Sequence, residues 1–123
     1  MASADHGAVL ELTGLIDMFG GDRAKVAKLL RRFAETSASG VAEMQACLAA
    51  GDVQRMRELG HRIKSAARMV GAEAMARLCE RMEKLPQSDA ATERAGAAAL
   101  LAELLPMLAE VSARIDGYLA QPD

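Results

Sequence analysis

The sequence predicts an all-α protein, and three observations support this prediction. The helix-forming residues Ala, Leu, Met, Glu, Arg and Lys dominate the 123 residues. β-Branched and aromatic residues, which strands favour, are scarce, and aromatic residues amount to only 2% of the chain. Apolar residues recur three and four positions apart, which is the period of an amphipathic helix. These observations exclude a protein built on a β-sheet.

The N-terminal half predicts three helices, each with apolar residues at helical spacing. These residues are Val9, Leu12, Ile16 and Phe19 in the first helix, Val26, Leu29, Leu30 and Phe33 in the second, and Val41, Met44 and Leu48 in the third. Gly20 and Gly21 end the first helix, and Asp22 supplies the N-cap of the second. The small and polar residues at 36–40 predict a break, after which Ser39 caps the third helix.

The C-terminal half predicts three further helices, which makes about six in total. Asp52 caps a fourth helix over about 53–70, which ends at Gly71. Asp89 caps the last helix, in which Pro106 predicts a kink or a split. The apolar residues are Met75, Leu78, Met82 and Leu85 in the fifth helix, and Leu101, Leu104, Leu108, Val111 and Ile115 in the sixth.

Short connections between amphipathic helices predict an antiparallel four-helix bundle with an additional N-terminal helix. The length of the chain is typical of a single domain, over residues 1–123. We expect residues 1–7, which include His6, and residues 120–123 to be disordered tails.

Charge and cysteine content exclude several classes of protein. The net charge of −2 leaves no basic excess to bind a nucleic acid. The uncharged apolar run at 95–102 is too short to span a bilayer, so we expect no direct membrane contact. Cys47 and Cys79 are expected to be reduced and buried, which is typical of a cytoplasmic protein. The sequence leaves open that this domain belongs to the cytoplasmic portion of a membrane-bound protein.

His61 stands out because helical periodicity directs its side chain to solvent. At about 100° per residue, the apolar residues of the fourth helix share one face, and His61 lies on the opposite face. These apolar residues are Met56, Leu59, Ile63, Ala66, Ala67 and Val70. At helical spacing from His61 lie Arg57, Lys64, Ser65 and Arg68. An exposed imidazole is a good nucleophile near neutral pH, and cations beside it would stabilise a phosphoryl group. From geometry alone, an ordinary solvated surface remains an equal alternative.

The sequence around His61 resembles the signature of histidine-containing phosphotransfer (HPt) domains. Residues 61–67 read His-Arg-Ile-Lys-Ser-Ala-Ala, and Gly-Ala follows at 71–72, which is similar to His-x-x-Lys-Gly-(Ser/Ala)-(Ser/Ala)…Gly-Ala. The segments 19–22 and 78–83 are also similar to family segments, so the resemblance covers nearly the whole chain. It implies a phosphorelay in which His61 accepts a phosphoryl group from a receiver-domain aspartate and passes it to another.

The resemblance also implies roles for residues near His61. Lys64 would offset phosphate charge, and Gly71 would permit the sharp turn into the fifth helix. An antiparallel hairpin around Gly71 places residue 61 level with about residue 81. The side chains expected to lie next to the imidazole are therefore Glu80, Glu83 and Lys84. Glu83 matches a family position whose Gln or Glu can hydrogen-bond the imidazole, although an ordinary surface position remains a nearly equal alternative.

Ser65 departs from the family pattern, which has glycine directly after the lysine, where the partner comes close. The extra atoms could narrow the choice of partner, or the hydroxyl could contact the phosphoryl group.

The resemblance implies a phosphoryl carrier and not a kinase, because the chain has no glycine-rich loop that could bind ATP. The implied partner is the receiver domain of a response regulator, a hybrid sensor histidine kinase, or both. Mg²⁺ is expected on that receiver, and no cofactor or metal on this chain, which we expect to be monomeric. The alternative is a helical adaptor or dimerisation module in which His61 is never phosphorylated.

Overall fold

The structure, a computed structural model, describes residues 9–122 and contains five helices in that range. The helices are α1 (Thr13–Met18), α2 (Arg23–Ala50), α3 (Val53–Met69), α4 (Glu73–Glu83) and α5 (Ala90–Ala120). Residues 9–122 contain no strand, which confirms the all-α prediction. Contacts of α2 with α3, α3 with α4, α4 with α5 and α5 with α2 close a four-helix bundle, and α1 packs on α2.

Three aspartates cap the N-termini of the three longest helices, α2, α3 and α5. The carboxylates of Asp22, Asp52 and Asp89 each accept a hydrogen bond from the backbone N–H three residues later, at 3.2, 3.1 and 2.9 Å. These bonds satisfy N–H groups that the first helical turn leaves without partners. The predicted N-caps Asp22, Asp52 and Asp89 are confirmed, whereas the predicted N-cap Ser39 is wrong because Ser39 lies inside α2.

The break predicted at residues 36–40 is wrong, and the second and third predicted helices are the single helix α2. The buried hydroxyl of Ser37 donates to the carbonyl of Phe33 at 2.7 Å, so it is satisfied inside an unbroken helix. Gly40 lies against α3, where an added Cβ would come within 2.8 Å of Cδ1 of Ile63. Close packing on α3 therefore explains this glycine, which local sequence rules interpret as a helix end.

Pro106 was predicted to kink or to split the last helix, and the split is wrong because α5 is continuous through the proline. Leu104 and Val111, on either side of the proline, are buried in the bundle, and this packing holds both halves in place. By length and composition alone, α5 could cross a membrane, in contrast to the prediction from the run at 95–102. In the structure its apolar residues pack against α2 and α4.

The two ends of the described chain are attached to the bundle. The backbone N–H of Glu11 donates to the carbonyl of Gly71 at 3.0 Å, so the segment before α1 lies against the turn between α3 and α4. Residue 120 belongs to α5, and the carbonyl of Gln121 accepts a hydrogen bond from Arg23 at 2.8 Å. Residue 120, predicted to belong to a C-terminal tail, is therefore part of α5. The predicted tail at 1–7 lies outside the described residues, as does residue 123.

Candidate functional site

His61 lies in the middle of α3 with its side chain directed away from the core. The side chain is 61% exposed. Leu59 and Ile63, its neighbours two positions away on either side, are buried on the core face. This orientation agrees with the prediction from helical periodicity, and it makes the imidazole accessible to another protein.

A carboxylate of α4 connects His61 to Lys64. One oxygen of Glu83, Oε2, lies 2.7 Å from Nδ1 of His61, and the other, Oε1, accepts a hydrogen bond from Nζ of Lys64 at 2.6 Å. The hydrogen bond from Lys64 and, to a smaller extent, the one from His61 hold the pKa of the Glu83 carboxyl below its ordinary value. Glu83 is therefore ionised at neutral pH and acts as the acceptor for both groups.

The bond to Glu83 determines which nitrogen of the His61 ring is available. An ionised carboxylate can only accept, so Nδ1 carries the hydrogen and donates it to Glu83. In the neutral ring, the lone pair is then on Nε2. Within residues 9–122, Nε2 has no hydrogen-bond partner. The geometry thus presents a nucleophilic nitrogen at the surface of the bundle.

Gly60 allows α4 to come this close to His61. A Cβ on Gly60 would lie 2.7 Å from the carbonyl oxygen of Cys79 and 3.1 Å from the backbone nitrogen of Glu83. Any larger residue would therefore push α3 and α4 apart beside the site. The sequence analysis gave Gly60 no role, although a glycine next to His61 within a helix is a signal for close packing.

Gly71 is required by the turn between α3 and α4. Its φ of +84° is in the left-handed region, which residues with a side chain rarely adopt. A Cβ at Gly71 would also collide with the backbone carbonyl of Glu11. The turn places the start of α4 so that Glu83, near its end, stands level with His61.

Lys64 and Ser65 differ in their exposure. The Lys64 side chain is only 15% exposed, and its ammonium contacts Glu83 of α4. Ser65 is exposed one position further on, at the site where the resemblance expects glycine. Its hydroxyl is therefore open to an approaching partner.

The ring of cations predicted around His61 is wrong in part, because Arg57 is buried. Its guanidinium donates to the carbonyls of Leu85 and Pro86 at 2.9 and 3.3 Å, and it forms an ion pair with Glu93 at 3.2 Å. The periodicity that placed Arg57 near His61 could not show that the loop after α4 covers it. Arg57 is committed to this loop and is not a free cation.

Arg68 is exposed but is also paired with carboxylates. It contacts Glu73 at 3.4 Å and Glu80 at 2.9 Å, and Lys84 contacts Glu80 at 2.9 Å. The hydrogen bonds from Lys84 and then Arg68 lower the pKa of Glu80 to about 2. Of the three residues predicted to lie next to the imidazole, only Glu83 contacts His61, whereas Glu80 and Lys84 pair with each other.

The sequence analysis missed Arg62, which is exposed directly after His61. Within residues 9–122, no carboxylate lies within ion-pair distance of Arg62. Its side chain lines an open groove between α2 and α3. Its position directly after His61 is the only indication that the sequence gives. Adjacent helical residues point in different directions, so helical spacing does not group Arg62 with His61.

No metal site is found in the described part of the chain. Among residues 9–122, no group of three or more His, Cys, Asp or Glu side chains stands close enough to hold an ion.

The fold is similar to a known phosphotransfer bundle. The crystal structure of histidine-containing phosphotransfer protein B (HptB) from Pseudomonas aeruginosa PAO1 superposes with a TM-score of 0.74. The two chains are 23% identical, and the match covers 94% of this chain and 98% of that one. At this identity, the similarity concerns the fold.

The sequence itself matches the Hpt domain family over residues 28–114, which is more than half of the chain. The protein therefore belongs to the Hpt domain family, whose members carry phosphoryl groups in two-component phosphorelays and are not themselves kinases. No curated protein matches the sequence.

Proposed function

We propose that this protein is a phosphorelay intermediate in which His61 carries the phosphoryl group. It accepts the group from the phospho-aspartate of a receiver domain and transfers it to the aspartate of a downstream response regulator. The observation that carries this proposal is the exposed imidazole whose Nδ1 is bonded to Glu83, because this bond leaves Nε2 free for attack. Membership of the Hpt domain family supports the same reaction.

The transfer needs no base to remove a proton before attack. The lone pair of Nε2 attacks the phosphorus of the aspartyl phosphate, the bond from phosphorus to the carboxylate oxygen breaks, and the carboxylate leaves. The ring becomes a phosphoryl-imidazolium that keeps the hydrogen on Nδ1. Glu83, 2.7 Å from Nδ1, offsets this positive charge. In the second transfer, a carboxylate oxygen of the acceptor aspartate attacks the phosphorus, the phosphorus–nitrogen bond breaks, and neutral imidazole leaves.

Lys64 would stabilise the negative charge on the phosphoryl oxygens during transfer. Its contact with Glu83 at 2.6 Å fixes the ammonium on the same side of α3 as the ring. Ser65, exposed on the next position, can donate a hydrogen bond to the same group or limit which partners fit. Arg57 and Arg68 are occupied by other carboxylates and have no direct part in the proposal.

We expect the partner to supply the acidic pocket and the Mg²⁺ for in-line transfer, and this chain to supply only the acceptor nitrogen and Lys64. The chain would act as a monomer in the cytoplasm, either alone or as part of a hybrid sensor kinase.

The proposal is tested by mixing the protein with receiver domains that have been phosphorylated with radiolabelled acetyl phosphate. The wild type should acquire label that is labile to acid and stable to base, which is the behaviour of phosphohistidine. His61→Gln should acquire none. His6→Gln is the matched control because these are the only two histidines, and it should be labelled like the wild type. Label that persists in His61→Gln would mean that another residue is the acceptor.

The same experiment distinguishes the carrier from a non-phosphorylated adaptor. An adaptor would bind the receiver with equal affinity in the wild type and in His61→Gln, and neither would be labelled. Binding is therefore measured in parallel, by isothermal titration calorimetry with the unphosphorylated receiver.

A further inference from the structure

Arg57 is a buried cation whose guanidinium bonds to other groups of the protein. It lies one helical turn before His61, and its residue surface is only 9% exposed. Besides its contacts with the loop after α4, its Nη1 donates to the side chain of Gln54 at 3.3 Å. A buried guanidinium is costly unless its hydrogens are bonded, so such a residue has a specific structural use.

The bonds of Arg57 connect α3 to the C-terminal end of α4. The carbonyl of Leu85, bonded at 2.9 Å, is two residues after Glu83. The ion-pair partner, Glu93, is in the first turn of α5, and it also accepts a hydrogen bond from the backbone N–H of Ser88 at 2.8 Å. Arg57 and Glu93 thereby hold the whole connection between α4 and α5 against α3.

Two contacts with α3 therefore fix the backbone of Glu83, one beside this residue and one directly after it. Gly60 sets how closely the two helices approach beside Glu83, and Arg57 fixes the chain immediately after it. The two bonds of the Glu83 carboxylate, at 2.7 and 2.6 Å, are short and directional. A displacement of about 1 Å at the end of α4 would weaken both of them, because hydrogen bonds weaken steeply with distance and angle.

We propose that Arg57, through its ion pair with Glu93, is a positioning residue that keeps the Glu83 carboxylate on Nδ1 of His61. Arg57 does not touch the reacting atoms and acts through Glu83. Its effect on phosphoryl transfer rests on the function proposed above, whereas its effect on the imidazole does not.

The direct test measures the position of the hydrogen on the His61 ring by ¹⁵N NMR, at one mildly alkaline pH for all variants. In the wild type, the Nδ1–H tautomer should dominate because Glu83 accepts from it. Arg57→Lys keeps the charge but loses the planar fork whose Nε and Nη2 reach the two carbonyls and Glu93 from separate positions. The share of the Nδ1–H tautomer should therefore fall in this variant. Glu93→Gln, which leaves the arginine in place, should change the tautomers in the same direction but less.

Arg55→Lys is the matched control. Arg55 is on the same helix and is also held by an acidic side chain of another helix, Glu43, as well as by Glu58, but it does not contact the loop after α4. The tautomer ratio of His61 in this variant should equal that in the wild type. Circular dichroism confirms that each variant is folded, and Glu93→Gln provides the answer if Arg57→Lys does not fold.

A second measurement separates positioning from general loss of stability. Arg57→Lys should slow transfer from a phosphorylated receiver by about 10-fold to 100-fold, because a misplacement of 1 Å can cost up to about 100-fold in rate. In a Glu83→Gln background, the same substitution should cause no further loss. If Arg57 had only a structural role, Arg57→Lys would slow transfer by the same factor whether residue 83 is Glu or Gln.

Two results would overturn the inference: an unchanged tautomer ratio in both Arg57→Lys and Glu93→Gln, or transfer losses that add in the double variant. If the wild type accepts no phosphoryl group from any receiver, the proposed function fails, but the tautomer comparison still decides the role of Arg57.

Discussion

The backbone nitrogen of Glu83 lies only 3.1 Å from the point that a Cβ atom on Gly60 would occupy. This close approach of α3 and α4 occurs at the residue directly before His61. It brings the carboxylate of Glu83 within hydrogen-bond distance of both His61 and Lys64. The geometry of the site therefore depends on a missing side chain as much as on the three that are present.

Gly60→Ala should separate α3 from α4 and weaken the site. The added methyl group would meet the carbonyl of Cys79 at 2.7 Å, so the helices must shift. Overpacking of this kind lowers the free energy of unfolding by about 1–3 kcal/mol. Urea unfolding measures this loss, and phosphoryl transfer from a receiver should be slower in the same variant.

The control is Gly117→Ala in α5, where no atom lies within 4 Å of the added methyl group. In a helix, replacing glycine by alanine without a clash raises the free energy of unfolding by about 0.5–1 kcal/mol. Equal effects of the two substitutions would contradict the account of Gly60.

Lys64→Ala should slow phosphoryl transfer about 10-fold or more while leaving the helical content unchanged, because loss of one charge-stabilising donor has effects of at least this size. Stopped-flow or quench measurements with a phosphorylated receiver give the rate. Lys84→Ala, which removes an exposed lysine paired with Glu80 away from His61, serves as the control and should transfer at the wild-type rate. Wild-type kinetics in Lys64→Ala would remove this lysine from the mechanism.

The orientation of His61 could be predicted from the sequence because it depends only on helical periodicity and on which face is apolar. The position of Glu83 along α4, opposite His61, could be predicted to within one helical turn. Two antiparallel helices joined by a tight turn at Gly71 place residues at equal distances from the turn opposite each other. The contact itself also depends on the helix separation, which Gly60 sets. That separation is a property of packing between segments and has no signature in local periodicity.

The errors in the sequence analysis have the same origin. The run at 36–40 contains residues that end isolated helices, yet contact with α3 keeps Gly40 inside α2. Helical spacing places Arg57 on the outward face beside His61, but the loop after α4 covers it. In both places, tertiary contacts override a correct local preference.

Glu80 should make stability depend on pH in the acid range. Its pKa falls from 4.5 to about 2 in the folded protein because Lys84 and Arg68 bond the charged form. A carboxyl with a lowered pKa stabilises the fold above its unfolded pKa, and the contribution is lost as pH falls from about 4.5 towards 2. Urea unfolding of wild type and Glu80→Gln should therefore differ more at neutral pH than near pH 2. An equal difference at both pH values would contradict the assignment.

The two cysteines should differ in reactivity although both are free thiols. Burial raises the pKa of Cys79 to about 12, and its side chain has no exposed surface, so the reactive thiolate is scarce and inaccessible. Burial also raises the pKa of Cys47, but this residue is only partly buried. The sequence analysis predicted that both would be buried, and only Cys79 is.

Alkylation with iodoacetamide at mildly alkaline pH, followed by mass spectrometry, measures this difference. The native protein should gain one label quickly, at Cys47, and the second only at the rate of unfolding. Cys47→Ser should leave only the slow phase, and concentrated guanidinium chloride should make both thiols react at similar rates. Rapid labelling of native Cys79 would mean that the interface between α3 and α4, on which the His61 site depends, opens far more often than its packing implies.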